Sequence, residues 1–176
     1  MFDIITVTMQ FDPLEDRIIM DCSDKSKKTQ RLWLTRRLLD KLIPRLTKEI
    51  EISSINKNSS QLEQLFAQEK ALINQKKTQA VKLNKSSPSL LVTSVQVGKS
   101  NSEFKLIFID DRILELEMIK KENTKNKAQF DLAISNLRQL LNAFFKIYKK
   151  ATWDTEKFPN WIEENILKSE KKSLMN

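Results

Sequence analysis

Apolar and polar residues alternate strictly over residues 5–11, with Ile5, Val7, Met9 and Phe11 on one side and Thr6, Thr8 and Gln10 on the other. A period of two marks a strand with one buried face, so the first element is predicted to be a strand. Turn chemistry at 12–16 leads to a second strand over 17–22, a polar connector follows, and a third strand covers 30–34. The period then changes. Thr35 offers a hydroxyl to cap a helix whose apolar stripe is Leu38, Leu39, Leu42, Leu46 and Ile50. Pro44 falls inside that helix, where its missing N–H costs about 3 kcal/mol, so a kink or a restart is expected there.

The same order returns in the second half. Leu91, Thr93, Val95 and Val97 alternate, 98–102 reads as a turn, Phe104, Leu106 and Phe108 alternate, and 110–112 turns into a strand over 113–119. Leu132-Ala133-Ile134-Ser135 repeats the pattern of Leu32-Trp33-Leu34-Thr35, and the helix that follows presents Leu137, Leu140, Leu141, Phe144 and Tyr148. "DRII" at 16–19 echoes "DRIL" at 111–114. The chain reads as α+β, with two antiparallel meander-plus-helix units (βββα-like) forming an internal repeat, joined by an inserted helical linker. The units span 1–51 and 90–154, the linker 52–89, and a C-terminal tail with a short helix from Trp161 occupies 155–176. Two generic strand-to-helix transitions would produce the same echo without a repeat. The linker carries Leu62, Leu65, Phe66, Leu72 and Ile73 between polar tethers, and its six lysines outnumber its two glutamates.

At 176 residues the chain can bury a core without disulfides or metal, and 31% charged residues point to long solvated segments around it. The single cysteine, Cys22, has no internal disulfide partner and reads as a small buried hydrophobe. The N-terminus lacks a signal-peptide flank and cleavage site, and no apolar run approaches the roughly twenty residues of a membrane span. A cytoplasmic protein without a membrane segment is expected. One glycine, Gly98, rules out glycine-rich phosphate loops, and the absence of histidine removes the commonest general base and zinc ligand. No cofactor, no metal and no enzymatic activity are expected. Asp110, Asp111, Glu115 and Glu117 form an acidic group of the kind that holds Mg²⁺, but alternation over 113–119 accounts for them as a solvated face.

Charge sharpens the picture. The net charge is +8, and residues 25–48 hold nine basic residues against the single acid Asp40. With Leu32 and Leu34 pointing inward, Arg31, Trp33 and Thr35 point outward, leaving Trp33 among cations. An aromatic flanked by cations can stack a base while the cations neutralise phosphates. The candidate nucleic-acid-binding residues are therefore Lys27, Lys28, Arg31, Trp33, Arg36, Arg37, Lys41 and Arg45. The plainer account covers Trp33 with the inserted helix or a second subunit, and pairs Arg36 and Arg37 with Asp40 on the same helix. A second candidate set, Leu65, Phe66, Phe158 and Trp161, would anchor a protein partner.

The segments "DRIIMDCSDKSKKTQRLWLTRRLL", "SLLVTSVQV" and "KKATWD" resemble an uncharacterised bacterial protein family over most of residues 1–154, with RLWLTRR the specific part. The resemblance implies a small bacterial cytosolic protein and assigns no site residue. Two sheet-plus-helix units are also similar to the PUR and Whirly type of single-strand nucleic-acid-binding fold, from which unit one is a strand short. Two functions follow. The first is a non-enzymatic module contacting backbone phosphates of single-stranded DNA or RNA with little sequence readout. The alternative is a protein-interaction or assembly subunit of a larger bacterial complex, and a homodimer is compatible with either.

Overall fold

The computed structural model describes residues 1–53, 60–100, 103–112 and 126–162. The first stretch contains β1 (Phe2–Ile4), β2 (Thr6–Asp12), β3 (Arg17–Ser23), β4 (Thr29–Thr35) and α1 (Arg36–Ser53). After α2 (Gln61–Ile73) come β5 (Ser89–Leu91), β6 (Ser94–Ser100), β7 (Glu103–Ile109), β8 (Lys127–Ala133), α3 (Ile134–Lys150) and a 3₁₀ turn, Asn160–Ile162. The fold is α+β. Its strands form two mixed four-stranded sheets with the orders β2-β3-β4-β5 and β1-β8-β7-β6.

Each sheet is completed from the far end of the chain. β2, β3 and β4 are antiparallel and β5 joins β4 in parallel; β6, β7 and β8 are antiparallel and β1 joins β8 in parallel. The strand that unit one lacks in the sequence reading is thus donated from beyond the linker. The strand expected over 5–11 is β2 without Ile5, preceded by the separate β1, and the one expected over 91–97 is divided between β5 and β6, because the chain changes sheets at Ile5 and between Leu91 and Ser94. Ile5 N–H donates to the Ser23 carbonyl at 2.9 Å and Thr93 N–H to the Ile109 carbonyl at 2.8 Å, each opening the longer strand that follows. Ile5 therefore lies at a junction and is 62% exposed, whereas Ile4, opposite Phe130, and Leu90, opposite Leu32, are buried.

Both inner faces share one core with α1 and α3. Met20, Leu32 and Leu34 meet Phe104, Leu106 and Phe108 across a filling that includes Leu39, Ile43, Leu46, Leu141, Phe144 and Tyr148. Cys22 is fully buried there, and burial pushes its thiol pKa well above the ordinary value. α1 begins where the hydroxyl cap was expected, with Leu38 N–H donating to Thr35 Oγ1 at 3.3 Å. It runs unbroken through Pro44, which sits on its exposed side, where water can reach the carbonyl left without an N–H. α3 begins at Ile134 rather than at Ser135, with Ala133 at the cap position and no side-chain cap. Strand register makes Leu132, opposite Phe104, the counterpart of Leu34, opposite Ile18, two residues away from the alignment the sequence pattern suggests. Core pairing outweighs the weak cap signal. Gly98 and Lys99, expected in a turn, belong to β6.

The strand expected over 113–119, with Glu115 and Glu117, and the tail beyond Ile162 lie outside the described residues. Of the two aspartates before them, Asp111 accepts a hydrogen bond from Thr93 Oγ1 at 3.0 Å, and Asp110 is 2% exposed and gripped by Arg112 Nε at 2.9 Å and Nη2 at 2.7 Å. Among the described residues no group of three or more acidic, cysteine or histidine side chains is placed to hold a metal ion, and no helix is long and apolar enough to cross a membrane. The hydrogen bond from Arg112 holds the Asp110 carboxyl below its ordinary value of 3.8 despite burial, so its contribution to stability is complete above that value and fades as pH falls through the lowered one. Acid titration of the melting temperature is expected to show a loss below about pH 4 that is shallower in Asp110→Asn; parallel curves would exclude this pair as a source of acid sensitivity.

Candidate nucleic-acid interface

Alternation along β4 turns Gln30, Leu32 and Leu34 inward and leaves Thr29, Arg31, Trp33 and Thr35 half-buried on the outer face, as the sequence pattern predicts. The charge on Arg31 is already matched. Its Nε lies 2.7 Å from Asp21 Oδ1 and its Nη2 2.9 Å from Oδ2, across the β3–β4 register. This hydrogen-bonded pairing raises the Arg31 pKa above its ordinary value. The guanidinium also stands 5.6 Å from the centre of the Trp33 ring.

The outer face of this sheet is not open. Asp21 and Ile19 point outward from β3, yet they are 8% and 5% exposed. The chain between α2 and β5 supplies the cover. Val81 N–H donates to Thr8 Oγ1 at 2.9 Å on edge strand β2, the Ser87 and Thr29 hydroxyls meet at 2.6 Å, and Arg31 N–H donates to the Pro88 carbonyl at 3.0 Å. β2 and β5 are opposite edges, so the segment from Val81 to Ser89 has to cross the outer face. A strap of the linker, rather than its helix or a second subunit, occupies the face that carries Trp33.

At the other end of β4 the cations stand differently. Arg36 is exposed, with its guanidinium 5.7 Å from the centre of the Trp153 ring. Asp40 makes no ion pair with Arg36 or Arg37 among the described residues. It accepts a hydrogen bond from the Tyr148 hydroxyl at 3.0 Å and faces Lys157 Nζ at 3.7 Å. Burial first, and then this bond to Asp40, push the Tyr148 hydroxyl pKa far above its ordinary value. Arg37, Lys41, Arg45 and Lys48 are exposed, and their spacing of four, four and three residues places them in one stripe along α1. The stripe is about 16 Å long at 1.5 Å per residue. Arg45 also reaches across to the Val97 carbonyl on edge strand β6 at 3.0 Å, while Arg37, Lys41 and Lys48 have no hydrogen-bond or ion-pair partner among the described residues. Lys99, from β6, lies 2.8 Å from Ser53 Oγ at the far end of the helix.

Lys27 and Lys28 occupy the exposed loop before β4, with Lys27 in a left-handed conformation at φ 64°. A seven-residue strand separates them from Arg36, about 23 Å at 3.3 Å per residue. The eight candidates thus divide into an exposed loop pair, a strapped Arg31–Trp33 pair, and an exposed helical group of Arg36, Arg37, Lys41 and Arg45. Lys48 was legible as an addition, since it continues the helical spacing from Arg37. Lys99 was not, because only the tertiary fold brings β6 to α1.

The residues read as partner anchors are mostly covered by the chain itself. Leu65, Phe158 and Trp161 are buried, whereas Phe66 is 54% exposed. Phe158 meets Phe145 and Tyr148 edge-on at 5.2 and 5.1 Å. Trp161 donates its indole N–H to Glu51 Oε1 at 3.1 Å, and the Arg138 guanidinium stands 4.8 Å from its ring centre. Arg138 is itself buried and donates to both the carbonyl and the side-chain oxygen of Gln64 on α2. Burial brings its pKa down to about 10 against the opposing pull of Glu51. An amphipathic pattern announces a face that needs covering, and here α3 and the segment after it provide most of the cover.

The fold defines an α+β protein whose two sheets exchange short edge strands and whose first helix presents a row of cations. Comparison with known proteins adds no relative to set beside it: no family model, no curated protein and no solved structure matches the chain.

Proposed function

We propose that this chain is a cytoplasmic, non-enzymatic module that holds the phosphate backbone of single-stranded DNA or RNA along α1, with little readout of sequence. The observation that carries the reading is the exposed stripe Arg37, Lys41, Arg45 and Lys48, with which none of the acids of the helix, Asp40, Glu49 and Glu51, makes an ion pair among the described residues; Asp40 is engaged by Tyr148 and Lys157 and Glu51 by Trp161 instead. Two arginines open α1 with no acid in its first turn, where the helix dipole disfavours cations and an external anion would offset the penalty. Because Arg31 is paired and its face is strapped, Trp33→Ala is expected to change affinity little.

The test is fluorescence anisotropy with a labelled single-stranded oligonucleotide between roughly 50 and 200 mM salt, where each phosphate contact contributes about 0.7 to the log–log slope. Changing Arg37, Lys41 and Lys48 together to Gln is expected to flatten that slope by about 2. An unchanged slope, or no binding by the unaltered chain at low salt, would sink the reading. The second reading, an assembly subunit, is favoured by one observation: Leu62, Phe66 and Ile73 remain exposed on α2.

A further inference from the structure

We infer that α2 is a self-association face, on which a second copy of this chain lays its own α2 in antiparallel orientation. Leu62, Phe66 and Ile73 are 49%, 54% and 75% exposed. With Glu69 they follow steps of four, three and four residues, the spacing of a two-stranded helical seam. The helix is well prepared for this. Ser60 and Glu63 close a capping box at its start, with bonds of 3.3 and 3.0 Å. Its opposite face is held to α3 by Arg138 on Gln64, Gln68 on the Arg138 carbonyl and Gln139 on the Ala71 carbonyl. The apolar stripe is therefore rigid before any partner arrives, which lowers the entropy lost on binding.

Charge selects the occupant. Glu63 and Lys70, both exposed and seven residues apart, flank the same edge of the stripe. Across a two-fold axis near the middle of α2, Glu63 meets Lys70 of the second copy and Lys70 meets Glu63 of the second copy, while Leu62 meets Ile73. A parallel arrangement would instead carry this edge of each helix to opposite sides of the seam, and the Glu63–Lys70 match would be lost. One patch that complements itself in both charge and shape is what a two-fold interface requires. Glu63 keeps its capping bond through Oε2 and has a second carboxylate oxygen for the pair. Glu69 is the weak point, since it brings a carboxylate beside Phe66 of the second copy. The seam is only thirteen residues long, so the dimer is a weak one.

The inference is independent of nucleic-acid binding and is tested without it, by sedimentation equilibrium of the full chain over a range of concentrations, with circular dichroism to check each variant's fold. The unaltered chain is expected to dimerise reversibly. Glu69→Leu should tighten the dimer by about tenfold and Phe66→Asp should weaken it by at least about tenfold, each equivalent to about 1.4 kcal/mol. Lys70→Glu should weaken it, and adding Glu63→Gln, which can keep the capping bond but removes the new repulsion, should recover part of the loss. A chain that stays monomeric even as Glu69→Leu, a dimer insensitive to Phe66→Asp, or a dimer insensitive to Lys70→Glu would overturn the inference. If Phe66→Asp does not fold, the Lys70 variants decide.

Discussion

Trp153→Ala is expected to lower the unfolding free energy by about 3–5 kcal/mol, the usual cost of truncating a buried tryptophan. Trp153 is 6% exposed and meets Phe11 and Tyr148 edge-on at 5.4 and 4.9 Å. Its indole N–H donates to Asp16 Oδ1 at 2.9 Å, and Arg36 stands over its ring. One side chain thus ties the end of α3 to the β2–β3 hairpin and to the start of α1. For a chain of this size the loss corresponds to a fall in melting temperature of roughly 10 °C. Trp153→Phe keeps a ring but gives up the bond to the exposed Asp16 and part of the buried volume, so a smaller loss of about 1–3 kcal/mol is expected. Urea denaturation of the three proteins reads the order directly, and a Trp153→Ala midpoint close to the unaltered one would contradict this role.

The exchange of edge strands gives the second large effect. Ile4→Asp and Leu90→Asp each place a carboxylate at a core position and leave an apolar neighbour, Phe130 or Leu32, without cover. Each is expected to cost at least about 4 kcal/mol, a large share of the 5–15 kcal/mol by which domains are stable. Ile5→Asp is the control. Ile5 is the next residue in the chain and just as apolar, but it is 62% exposed, so its replacement should stay within about 0.5 kcal/mol. Chemical denaturation of the three variants checks the contrast. Equal effects at Ile4 and Ile5 would mean that β1 does not pair with β8 as described.

That contrast shows where the sequence stops being legible. Alternation over 5–11 places Ile5 with Val7, Met9 and Phe11, and no local signal marks the step from one sheet to the next. Three residues are too few to display a period, so β1 and β5 merge with their neighbours on inspection. Where a period runs long enough the reading held: β3, β4, the cap at Thr35 and the apolar stripe of α1 all follow from it. The candidate site was legible in the same proportion. The outward face of β4 and the exposed cations of α1 came from spacing, whereas the strap over Trp33 and the capture of Asp40 by Tyr148, 108 residues away, did not.

By itself, then, the sequence determined which residues turn toward a core, where α1 begins, and which helical positions expose cations, because these depend on periods of 2 and 3.6 residues and on neighbours within one turn. Only the tertiary structure decided which sheet each short strand completes, which acid neutralises which cation, and what covers Trp33, Phe158 and Trp161. Amphipathic periodicity specifies a face to be buried but not the surface that buries it, and that choice depends on how well distant segments pack together in one core.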